Sequence, residues 1–170
     1  MGRGVSVESE VETADDNNFY CDNTIGETET TQFTTGSLTV TIDGLAIDAA
    51  TLILGLPTPE SVTVETSTQV DIQHYNNKMA APYVGFGYIR RVMYKGKTQY
   101  IAVMHPKVKF GLPSDSAATQ EDQIDWQTQE LSASMLRDDT EAQDWKLESE
   151  PVDTEASAEA VIKKLLNITE

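Results

Sequence analysis

The 170-residue chain has one cysteine, Cys21, and two histidines, His74 and His105. A lone cysteine excludes an intramolecular disulfide, so the fold has to be held by its core, which suits a reducing compartment. Neither histidine stands at a metal-ligand spacing from the cysteine or from the other histidine. No apolar run approaches the roughly 18 residues that cross a bilayer. The opening "MGRGVSVESEV" has no hydrophobic signal region. Synthesis and assembly in a cytoplasm are expected. The nucleophile elbow, the phosphate loop and the dinucleotide fingerprint are all missing, and so is any internal repeat. The sequence assigns no catalytic residue, metal ligand or cofactor, and reads as a non-enzyme.

Positive charge is scarce as well. There are 12 Lys and Arg against 28 Asp and Glu, a net charge of -16. Such a surface repels phosphate backbones, so free DNA is not an expected ligand. Half of the basic residues (Arg90, Arg91, Lys95, Lys97, Lys107 and Lys109) lie between positions 81 and 110, where no Asp or Glu occurs. Lysines on exposed strands oppose edge-to-edge aggregation, which accounts for the four lysines. Arg90 and Arg91 are adjacent, so on a strand they face opposite ways. One of them must meet a packed face or an interface, where a charge needs a partner. These six residues are the expected subunit interface, facing acids on another copy.

Apolar periodicity sets the expected elements. "GVSVESEV" and "TGSLTVTI" alternate, the second with Leu38, Val40 and Ile42 on one face. "ADDNN" has turn composition. Leu45, Ala49, Leu52, Ile53 and Leu56 take helical spacing, with Gly55 and Pro57 as stop signals. Positions 60–75 alternate as one long strand, with Val62, Val64, Thr66, Thr68, Val70 and Ile72 on one face. The threonine-rich middle of that face suits a strand extending beyond the core, or a hairpin arm. Two more strands meet at Tyr94-Lys95-Gly96-Lys97, a short hairpin turn. The glycines of Gly85-Phe86-Gly87 leave room for a close neighbour. "DWQTQELSASMLR" is a further strand, with a bulge where its apolar side moves from Trp126 to Leu131, and "AQDWKLE" is a short last one. Ala158, Val161, Ile162, Leu165 and Leu166 form the stripe of a C-terminal helix, with Lys163 and Lys164 at its favourable end. The fold class is α+β and mostly β: an antiparallel sandwich or rolled barrel over 1–150, with a short flanking helix, and an amphipathic helix over 151–170 on the same domain.

Other candidate residues have plain structural readings. His105, just before Pro106, is a strand histidine that ends the regular ladder. Cys21 is a partly buried thiol. "TADDNNFYCDN" lacks the glycine and terminal glutamate of a calcium loop. Asp138-Asp139 and Glu121-Asp122 are solvated acids in turns or loops.

Taken in order, the Pro-Tyr-Val strand at 82–84, Tyr100, "HPKVKF" (105–110), the "PSD…T" loop and "DWQTQEL" (125–131) carry a resemblance. Together with "GSLTVTIDGLAIDAATLILG" upstream, they resemble the major tail protein family of long-tailed, non-contractile bacteriophages over about 4–147. The motifs are structural, so the match rests on order and spacing. The resemblance implies a virion tail-tube subunit. Subunits form hexameric rings, the rings stack into a tube, and DNA passes through the lumen without specific binding. Other tail proteins are implied partners. The long arm near Glu65–Ala80 and the loop at 111–125 are expected to reach a neighbour. Family members begin with a further segment, so the resemblance also implies a shortened N-terminus. The alternatives are a non-assembling β-sandwich binding module (a virion adhesin or carbohydrate binder), an acidic enzyme or nucleic-acid mimic, and a related secretion-tube protein.

Overall fold

The computed structural model describes residues 4–15, 17–21, 24–29, 32–64, 68–114 and 128–168. In chain order the elements are β1 (Gly4–Thr13), β2 (Asn17–Cys21), β3 (Thr24–Glu29), β4 (Phe33–Ile42), α1 (Ile47–Leu54), β5 (Glu60–Val64) and β6 (Thr68–Ile72). There follow β7 (Val84–Tyr94), β8 (Lys97–Phe110), β9 (Gln129–Leu136), β10 (Leu147–Glu148) and α2 (Glu155–Leu165). The fold is α+β and mostly β, with antiparallel sheets and two helices.

The main sheet runs β1-β4-β9-β8-β7. β8 is its spine. One edge pairs with β7 from Tyr94↔Lys97 to Val84↔Val108. Its other edge is shared, by β9 at Lys107–Phe110 and by β10 at Val103 and Met104. Tyr100 and Val152 continue that second edge. Pro106 falls between the two partners, where a missing N–H breaks no ladder bond. This corrects the reading of His105 as a ladder end: β8 runs on to Phe110.

The alternating residues of β4 and β9 make the core. Leu38 opposes Ala133 and Val40 opposes Leu131 in register, and all four are buried. Val108 and Phe110 of β8 join them, with the Phe86 ring edge-on to Phe110 at 5.8 Å. α1 closes the core with Ala50, Ile53 and Leu54. Of the expected stripe, Ile53 and Leu56 are buried and Leu45 packs against the core, but Leu52 is 69% exposed and Ala50 and Leu54 are buried in its place. The buried set follows its own i, i+3, i+4 spacing.

α2 packs on β7 and β8. Thr154 caps it by accepting from the Ser157 N–H at 3.2 Å. A Cβ on Gly87 would lie 2.7 Å from Ile162, and one on Gly85 would lie 2.5 Å from Leu166. The two glycines therefore do make room for a close neighbour. Most of the expected α2 stripe is covered, although Leu165 is exposed.

Four expectations on the elements are corrected. Asn17 and Asn18 open β2 instead of lying in a turn, and β2 pairs with β3 from Asn17↔Glu29 to Cys21↔Thr24. Aromatic and β-branched residues in these segments favour extended pairing over the turn composition just before them. Of the two readings of 60–75 the hairpin arm holds and the single long strand does not: β5 and β6 pair as Glu60↔Ile72, Val62↔Val70 and Val64↔Thr68. A period of two is the same for one strand and for two strands folded back in register, so alternation could not tell them apart. The last strand is only Leu147–Glu148, because Gln143 takes φ 53° and the Trp145 ring stacks on Phe33 at 4.7 Å. Finally, no closed barrel forms among the described residues. Each pairing from β1 through β4, β9 and β8 to β7 is antiparallel, so β1 and β7 run in the same direction. An odd number of antiparallel strands cannot close on itself with antiparallel pairing throughout.

The expected bulge near Trp126 and the pair Glu121-Asp122 lie outside the described residues. So does the loop at 111–125 beyond Ser114.

Candidate assembly surfaces

The six basic residues do not form one patch. Arg90 and Arg91 sit mid-strand on β7, where their registers with Ile101 and Tyr100 put them on opposite faces. Arg90 pairs with Glu148, which Lys146 also holds at 2.8 Å. The Lys146 hydrogen bond, more than the nearby Arg90, keeps the Glu148 carboxyl below its usual range. Arg90 thus has a partner in its own chain while staying exposed, and neither arginine meets a packed face of this subunit. The Arg91 guanidinium reaches only the Thr98 hydroxyl, at 3.5 Å.

Lys95 and Lys97 flank the tip of the β7–β8 hairpin. Lys95 (φ 49°) and Gly96 (φ 77°) form the turn, both with positive φ as a two-residue turn of this kind requires. The Lys95 ammonium lies 5.2 Å from the Tyr94 ring centre. Lys107 and Lys109 share a face at the other end of β8, both over the Tyr83 ring at 5.0 and 5.6 Å. Lys107 also pairs with Asp139 at 2.6 Å. At about 3.3 Å per residue, the two lysine groups stand on the order of 30 Å apart.

Two further surfaces stand out, the first of which includes Arg90 and Arg91. The first is a groove of about 580 Å³ between the free edges of the main sheet, lined by Gly4–Val7 and Ser9 of β1 and by Tyr88–Arg91 of β7. The sheet curls enough for both edges to share this groove. Among the described residues no backbone hydrogen bond joins them. The second surface is the β5–β6 arm. Among the described residues it pairs with no strand but its own, and Gln73 ties its base to the Thr51 hydroxyl at 3.0 Å and the Pro57 carbonyl at 2.8 Å. Val64, Val70 and Ile72 are 48%, 45% and 44% exposed. In this register they share one face with Val62. The alternation of 60–72 signalled that face, but nothing in the sequence signalled the groove, which depends on sheet curvature.

His105 is the buried polar residue of β8. A carbonyl can only accept, so Nδ1–H donates to the Trp145 carbonyl at 3.1 Å. Nε2 finds no partner among the described residues. Burial first, and Lys146 second, lower its pKa from 6.5, against the Trp145 bond. The folded state therefore refuses a proton that the unfolded chain accepts. Stability should fall as pH drops below about 6.5, by at most about 1.4 kcal/mol per pH unit until the lowered folded-state value is passed. Urea titrations between pH 7.5 and 5 measure this slope, and His105→Phe should flatten it. An equal slope in the variant would assign the effect to other groups.

Among the described residues no three His, Cys, Asp or Glu side chains gather as a metal site. No helix among them is long and apolar enough to cross a membrane. No protein-family model matches the chain, and no curated protein is significantly similar to it.

Proposed function

We propose that this protein is a structural virion subunit, a major tail protein that forms hexameric rings stacked into a phage tail tube. The observation that carries the reading is the β5–β6 arm. A two-stranded hairpin is marginal in water unless something covers it, and this one leaves three aliphatic side chains nearly half exposed on one face. A second copy would cover them. The resemblance over about 4–147 supplies the kind of assembly. The charge of -16 suits a lumen along which DNA slides without binding.

Light scattering with mass measurement, followed by negative-stain microscopy of the full chain, tests this reading. Rings or tubes are expected. A strict monomer at high concentration would instead favour a free-standing β-sandwich binding module.

A further inference from the structure

We infer that the groove between β1 and β7 is the receptor for the β5–β6 arm of a second copy. This rests on the assembly reading and names its contact. The groove stays open for a topological reason: its two lips run in the same direction, so the sheet cannot close with the antiparallel pairing used everywhere else in it. Both lips are sheet edges, and such edges attract strands.

The arm fits this receptor in three respects. Val62, Val64, Val70 and Ile72 form its apolar face, while Val5, Val7, Tyr88 and Ile89 give the groove apolar walls. The charges are complementary: Arg90, held by Glu148, and Arg91 line the groove, whereas the arm strands carry Glu60 and Asp71 and no Lys or Arg. The lengths also agree, since five-residue arm strands face a β1 lip spanning Gly4–Ser9. Unlike surfaces meeting head to tail continue from copy to copy, closing a ring or extending a stack. A self-complementary pair would stop at two.

Cysteine cross-linking between separately made copies is the test, in a Cys21→Ser background. Val70→Cys on the arm is mixed with Ser6→Cys on the β1 lip and oxidised gently. A control mixes Val70→Cys with Ala156→Cys on the exposed first turn of α2. Disulfide-linked dimers should form roughly tenfold faster with the lip than with the control, because docking raises the effective concentration of the two thiols. Equal rates in a preparation that forms rings or tubes would overturn this contact and leave the assembly reading standing. Equal rates in a preparation that stays monomeric at every concentration would overturn both.

Discussion

Replacing Arg90 and Arg91 together by glutamate is expected to weaken self-assembly by roughly tenfold or more, equivalent to at least about 1.4 kcal/mol per contact. Both side chains line the groove between β1 and β7, and both are exposed. Reversing them changes the charge of the lip by four, facing arm strands that carry Glu60 and Asp71 and no Lys or Arg. Arg90 has a second role, since it pairs with Glu148 in its own chain. A glutamate there would stand beside a carboxylate, so the double variant carries a folding cost as well. Arg91→Glu alone separates the two effects. It spares the Arg90–Glu148 pair, so it should retain the wild-type urea midpoint and still assemble more weakly. Sedimentation at several protein concentrations and two salt concentrations measures this, and the defect should shrink as salt rises. Rings forming normally from Arg91→Glu would reduce the basic stretch to a solvated hairpin. Any retention on DNA should not weaken in step with assembly, because the acidic surface offers DNA no site.

The largest expected effect on folding comes from one methyl group. Gly55 ends α1 at φ 62°, and its N–H closes the helix on the Thr51 carbonyl. A Cβ there would run into the Ala80 carbonyl oxygen and come within 2.6 Å of the Ala80 carbonyl carbon. Gly55→Ala therefore combines left-handed strain with a backbone clash that no rotamer relieves, and should cost about 2–4 kcal/mol. The displaced segment leads into β7, and the strand α1 follows is β4, so the damage reaches the core as well as the arm base. Chemical denaturation measures the loss. A midpoint within error of the wild type would mean that the Ala80–Ala81 backbone yields freely.

The sequence foretold elements whose period the core enforces. Leu38, Val40 and Ile42 of β4 and Leu131, Ala133 and Met135 of β9 alternate because one face is buried, and all six are. Gly85 and Gly87 announced the α2 packing, since a missing Cβ is itself a signal. Features set by tertiary geometry stayed hidden. β5 and β6 continue one alternation along the sequence, so the pattern alone did not divide them. In α1 the expected stripe took in Leu52, which only the packing of the helix on the core turns outward. The basic cluster was compact along the chain but is spread along β8 in space, because 14 extended residues separate its ends by far more than sequence proximity implies. The groove depends on curvature and strand parity, properties of a whole sheet that no local window contains.

The shared edge of β8 also has a consequence during synthesis. β7 and β8 can pair as soon as both have emerged, through a two-residue turn. The second edge of β8 waits for β9, then for Leu147–Val152, and one of its faces waits for α2. Until then the run Ile101–Met104, fully apolar and buried in the finished fold, is open to other nascent chains. It is bracketed by Lys95 and Lys97 on one side and by Lys107 and Lys109 on the other. Charges flanking an unavoidable apolar strand hinder its addition to a second one. The same lysines, three of which rest on Tyr94, Tyr83 or Asp139 in the finished subunit, guard its spine while the ribosome is still at work.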